Sequence, residues 1–318
     1  MSIYEFLKEK NPEDTASGSC PLPDSGDLYL RADEVWVPGA FEGILLRTDM
    51  RIKQHLLINY RIAGAVRRQA LRPSKARLAK LEKLLSKYSA ISLADPLCSI
   101  CVAIGLVSSS EKKEALRRLA LDLALHGDKR EPVKIGIALL GICGNPDDAE
   151  LVKPLGLHNE FTLYAAGTAV RLLEPPARGA YLLELAEHVH GWGKISVLYE
   201  LDYSDPATCL WAIKHGCENT VGLSYLSNVC ATKGKMADVL SELREGRFST
   251  AEERELFHGI CDIFTGLLHP EAGNDGLSEY ADARCAAERF TALCAERPEL
   301  AASDGRVPEI LDGLKFIL

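Results

Sequence analysis

The chain has 318 residues, 47% of them apolar and 26% charged, with a formal net charge of −8. That composition excludes wholesale disorder, and the length suffices for one elongated domain or two compact ones. Leu and Ala are abundant, aromatics reach only 7%, and long β-branched runs are missing, a balance that favours helices.

The first residues, "MSIYEFLKEKNPED", lack the basic-then-apolar order of a signal peptide, and no apolar run approaches the roughly 20 residues that span a bilayer. Both features point to a cytoplasmic protein with no membrane partner. Residues 1–40 read as a short N-terminal helix followed by an irregular arm. Within the arm Pro, Gly, Ser and Asp dominate, and two stretches, "DLYL" and "EVWV", alternate. They are expected to form a small hairpin or an extended strip lying on the first helices. Residues 41–318 are expected to form a single helical-repeat domain.

Charge is unevenly spread. Between Arg47 and Lys87 twelve basic residues stand against only Asp49 and Glu82, a local excess of +10 that leaves −18 on the rest of the chain. In "PSKARLAKLEKLLSKYSAI" the residues Leu78, Leu81, Leu85 and Tyr88 form an apolar stripe at helical spacing. Arg77, Lys80, Lys83 and Lys87 flank or oppose that stripe, and Arg67, Arg68, Arg72 and Lys75 precede it. These eight residues read either as a solvated helix face or as a contact surface for a phosphate backbone or an acidic protein.

The next stretch, "DPLCSICVAIGLVSSSEKKEALRRLALDLALHG", reads as a helix pair. It contains the chain's one CxxC, Cys98 and Cys101. A zinc site needs a second ligand pair and a redox site needs a strand–turn–helix setting, and neither is visible. The ten cysteines are therefore expected to be mostly reduced, buried packing residues.

From residue 130 a repeat emerges. Pro146, Pro176 and Pro206 fall thirty residues apart, each between two apolar-periodic segments. At the same register Ile135, Ala165 and Ile195 match, as do Leu139, Ala169 and Tyr199, and Leu151, Tyr181 and Trp211. Proline ends one helix and suits the first turn of the next, and Asn145 and Ser204 are candidate caps. Thirty residues then accommodate two helices of about 11–13 residues, which must stack on neighbours to bury their apolar faces. A looser fourth copy carries Gly-Lys in place of Pro, and the clearest repeats span 130–248. Residues 249–318 read as capping helices over 250–269, 277–298 and 307–318.

In "LLGICGNPDDAELVKPLG" a Leu-Gly pair, a Gly-Asn-Pro-Asp turn and a spaced Leu are similar to the short, roughly thirty-residue subclass of HEAT-like repeats found in bacterial proteins. The resemblance implies an all-α fold, an α-solenoid of stacked antiparallel helix pairs with a right-handed sense. It also implies an extended surface on which a partner is held.

Asp128, His158, His188 and Glu218 recur at the same spacing and form a candidate polar ladder along one edge, with His190 beside His188. Metal binding or acid–base work is one reading; helix C-terminal turns, where His suits the macrodipole, is the other. "GWGK" is no dinucleotide fingerprint, and Walker A, HExxH, GxSxG and EF-hand patterns are absent. No cofactor is indicated. The expected function is a non-enzymatic scaffold or adaptor for a protein partner that the sequence does not identify. The alternatives are a nucleic-acid-binding protein using residues 47–87, or an enzyme with a site near His158 and His188.

Overall fold

The protein is described by a computed structural model over residues 1–10, 20–24, 36–47, 56–271 and 273–318. Residues 27–30 of the arm, Glu34 and Val35, and Asp49, Arg51 and Lys53 of the basic stretch lie outside the described residues. Among the described residues the fold is all-helical, 71% helix with 18 helices and no strand. The chain forms two compact units, Met1–Glu200 and Leu201–Leu318, and the boundary falls inside the third copy of the repeat.

The first unit begins with α1 (Ile3–Lys8), α2 (Ala40–Arg47), α3 (Leu56–Leu71) and α4 (Lys75–Leu85). It continues with α5 (Ala90–Ala103), α6 (Ser110–His126), α7 (Arg130–Cys143) and α8 (Pro146–Gly156), and ends with α9 (Thr162–Leu172), α10 (Pro175–His188) and α11 (Trp192–Leu198). The α7–α8 turn shows how the sequence sets these boundaries. Pro146 occupies the first helical position, and Asn145 Oδ1 accepts the Asp148 N–H at 3.3 Å while Asp148 Oδ2 accepts the Asn145 N–H at 2.9 Å. This reciprocal cap satisfies two otherwise orphaned donors. Asp148 also accepts both arms of Arg117 from α6 at 2.6 Å. The Gly-Asn-Pro-Asp-Asp turn is therefore a packing joint. At the corresponding turn in the third copy the cap is Asp205, not Ser204, because Asp205 Oδ1 accepts the Ala207 N–H at 3.1 Å.

Between α7 and the start of α11, residues 31 or 32 positions apart meet. The Thr168 hydroxyl donates to the Ile137 carbonyl at 2.7 Å and Lys153 pairs with Glu184 at 2.8 Å, each across 31 residues. The Tyr181 hydroxyl donates to the Ala149 carbonyl, and the Gly191 N–H donates to the Asn159 side chain, each across 32. Helices α3, α5, α7, α9 and α11 pack each on the next. Helix α7 is buried almost all round, because α5, α6 and α9 pack against it. Its Gly136 meets α6 closely: a Cβ there would lie 2.7 Å from the Ala124 nitrogen and 2.8 Å from the Ala120 oxygen.

The register residues Ile135, Ala165 and Ile195 are all buried, whereas Tyr199 and Leu151 are exposed. The second unit holds α12 (Pro206–Trp211), a π turn (Ala212–Gly216), α13 (Ser224–Lys233) and α14 (Met236–Arg244). It closes with α15 (Thr250–Leu268), α16 (Ala283–Glu296), α17 (Pro298–Ala301) and α18 (Val307–Leu314). Its core centres on Phe257 and Phe264 of α15 against Phe290 of α16, with ring centroids 5.6 and 4.9 Å apart. The helix expected over 277–298 is interrupted. A 3-10 turn, Leu277–Glu279, is held by Glu279 accepting the Gly276 N–H at 2.9 Å, and extended backbone at Tyr280 precedes α16.

Candidate functional site

Helices α3 and α4 pack against one another across the Arg72–Ser74 connection. Ile62, Ala63, Val66 and Ala70 of α3 and Leu81 and Leu85 of α4 turn inward, which puts the basic residues outside. Between the two helices lies a groove of about 410 Å³ with a floor of Ala65, Leu81 and Leu84. Its walls carry Arg61 and Arg68 from one side and Arg77, Lys80, Lys83 and Lys87 from the other, all exposed. Arg67, Arg72 and Lys75 are exposed on the same hairpin but do not line the groove.

Five of the eight basic residues singled out in the sequence thus come together, and Arg61 joins them. None of the six cations forms an ion pair with a described residue, and no acid lines the groove. Among the described residues the Arg77 guanidinium donates to the Arg72 carbonyl. Glu82, the one acid of α4, has its carboxyl pushed up by burial and by Asp128 and Asp122, so its charged neighbours lie elsewhere. Elsewhere in the first unit cations find acids: Lys153 meets both Glu150 and Glu184. Concentrated charge of one sign in a concave surface raises the local concentration of counter-charged ligands.

Each residue of the polar ladder has its own local setting. His158 is buried, and both its nitrogens are engaged: Nε2 donates to the Cys20 carbonyl at 2.9 Å, and Nδ1 accepts the Glu160 N–H at 3.3 Å. Burial holds its pKa below the usual range, so it is a neutral histidine without a free lone pair. His188 donates from Nδ1 to the Glu184 carbonyl at 2.8 Å in the last turn of α10, the helix-end role. Asp128 is exposed before α7, and Glu218 is exposed in the second unit. The Cys98 and Cys101 thiols are buried in α5 and pushed up to about 12 by burial. All ten cysteines are unbridged.

One constellation has no counterpart in the sequence reading. The Lys134 ammonium sits buried among Glu42 Oε1 at 2.5 Å, Glu160 Oε1 at 2.6 Å and Glu131 Oε1 at 3.1 Å. Among the described residues these three glutamates are the trio close enough to share an ion. The ammonium already supplies their positive charge. Backbone donors complete the cluster: Gly39 N–H to Glu160 at 2.9 Å and Ala90 N–H to Glu131 at 2.5 Å. Arg130 adds bonds to Asp24 at 3.0 Å and to Glu160 at 3.6 Å. Residues 20–24 and 36–47 are thereby tied to α7 and to the turn before α9. The available signal was Glu131 and Lys134, one helical turn apart inside an otherwise apolar run, with Tyr164 thirty residues after Lys134.

Burial would lower the Lys134 pKa, but the three carboxylates hold it well above the usual range. Burial raises Glu42 to about 7 against the opposing pull of Lys134. For Glu160 the pull of Lys134 and Arg130 overcomes burial and holds it at about 2. The raised Glu42 pKa makes its contribution to stability full below 4.5 and lost as pH climbs toward about 7. Relative to Glu42→Gln, the wild-type protein should lose stability between about pH 5 and pH 7.5, read by urea unfolding across that range. A difference that does not change with pH would remove Glu42 as the titrating group. Glu131, raised by burial, and Glu160 titrate in the same cluster, so the pH dependence reports the cluster through Glu42. The chain matches no family model, no curated protein and no solved structure.

Proposed function

We propose that this protein is a non-enzymatic binding protein, a stack of short HEAT-like helix pairs that holds an anionic partner in the α3–α4 groove. The solenoid part of this reading is supported by side-chain contacts that recur at 31 and 32 residues and by the row of helices from α3 to α11. A unit that meets its equivalent one repeat later is what stacked pairs produce. The observation that carries the binding function is the groove itself, with six exposed cations and no acid. Like charges held this close repel one another, and a ligand of opposite charge removes that repulsion.

The overall charge of −8 makes the test simple. A protein so acidic should run through a sulfated-polysaccharide column at neutral pH unless one surface is locally cationic. Wild-type protein is expected to be retained at about 50 mM salt and released well below 1 M, because screening shortens the reach of these charges. Arg68→Glu/Lys80→Glu/Lys83→Glu should flow through while keeping its helical circular dichroism, since all three side chains are exposed. Wild-type protein in the flow-through would mean that the groove is only a solvated surface.

A further inference from the structure

We infer that the occupant of the α3–α4 groove is the phosphate backbone of a double-stranded nucleic acid, gripped without regard to base sequence. The inference rests on the groove being an anion site, as proposed above, and goes on to name the anion.

Spacing is the first argument. Arg77, Lys80, Lys83 and Lys87 follow one another at three- and four-residue steps, with Arg61 and Arg68 facing them from α3. At 1.5 Å per residue the four cover on the order of 15 Å. A duplex presents about one negative charge per 1.7 Å of axis, so a stretch of that length offers more charges than the six cations can neutralise. Every cation in the groove can therefore find a phosphate in a regular array.

The second argument is what the groove lacks. A protein partner draws most of its affinity from a desolvated apolar or aromatic anchor at the centre of the contact, where lysine is depleted. The floor here, Ala65, Leu81 and Leu84, has no aromatic anchor, and three of the six cations are lysines. A single-stranded partner calls for aromatic rings on which bases stack, and none lines the groove. Base-edge readout uses Asn, Gln or acidic side chains beside Arg and Lys, and those too are missing from the walls. Contacts from these Arg and Lys side chains to phosphates position a duplex and carry no sequence information. The acidic remainder of the chain confines that contact to the groove.

The experiment is fluorescence anisotropy of the full chain with three labelled probes: a short DNA duplex, one of its strands, and polyglutamate of matched charge. Binding is read at about 50 and 200 mM salt. The expected result is duplex binding at the lower salt that weakens by about 10³-fold at the higher, the slope for six neutralised phosphates. Two unrelated duplex sequences should bind alike. Lys80→Glu/Lys83→Glu should abolish binding at the lower salt. Lys112→Glu/Lys113→Glu makes the same charge change on exposed positions of α6 outside the groove and should retain it. Polyglutamate bound as tightly as duplex, with the same dependence on Lys80 and Lys83, would overturn the nucleic-acid assignment and leave the anion groove standing. Tighter binding of the single strand would overturn the duplex assignment in the same way. Duplex binding untouched by the groove variant would also overturn the inference. If no probe binds at the lower salt, the inference and the groove reading fall together.

Discussion

Lys134→Met is expected to cost about 3–5 kcal/mol of unfolding free energy, more than any exposed substitution in the chain. Methionine matches the lysine stem in length and removes only the ammonium. That ammonium lies within 3.1 Å of carboxylate oxygens from Glu42, Glu131 and Glu160, each less than 7% exposed. Without it three buried carboxyls face one another, and among the described residues Arg130, 3.6 Å from Glu160, is the cation still paired with one of them. The penalty reflects stranded charge rather than the net worth of the ion cluster, and the two can be separated. Adding Glu160→Gln to Lys134→Met should recover part of the loss, because Glu160, held at about 2 in the intact cluster, is the carboxylate stranded as an anion. Urea unfolding of the wild-type, single and double variants checks both steps. A loss below about 1 kcal/mol for Lys134→Met would mean that the carboxylates take up protons at little cost and the ammonium is dispensable.

The same cluster shows why some of this protein was legible in its sequence and some was not. The α7–α8 joint was legible because its chemistry is local: Asn145, Pro146 and Asp148 lie within four residues and set one another's geometry. The thirty-residue spacing was visible because prolines and apolar positions recur, and in the first unit residues 31 and 32 positions apart meet. Glu42 and Lys134 are separated by 92 residues, and no local pattern announces such a pair. The groove was half legible. Its α4 wall is a periodic basic stripe on one helix, but Arg61 belongs to the preceding helix and joins only when α3 and α4 pack. Equal spacing in the sequence does not fix the direction of each side chain. His158 turns inward to the Cys20 carbonyl, while Asp128 stays exposed. Ser204 lost the cap to its neighbour because the Asp205 carboxylate reaches the free N–H of Ala207.

Gly259→Ala is the second large effect expected, and its sign is informative. Alanine is favoured over glycine inside a helix by roughly 0.5–1 kcal/mol, so on propensity alone the change should stabilise α15. The position forbids it. A methyl at residue 259 would fall on the Ile213 carbonyl oxygen and lie 2.9 Å from that of Lys214, both in the π turn. Those atoms are backbone and cannot rotate away, so the turn must move off α15. Gly266, two turns along the same face, repeats the constraint against Leu223 and Ser227, where an added Cβ would lie 2.9 Å from carbon atoms of both. Small residues seven apart let the chain segment from the π turn to α13 lie directly on α15. Overpacking of this kind costs about 1–3 kcal/mol, and contact with fixed backbone places Gly259→Ala at or above the upper end. Gly167→Ala is the matched control, because it is also a helix-interior glycine, in α9, but nothing lies within 4 Å of its added Cβ. It should gain about 0.5–1 kcal/mol. Opposite shifts of the two unfolding midpoints would identify close helix approach as what selects glycine at 259. A gain in both would mean that the π turn yields freely and that its contact with α15 contributes little to the second unit.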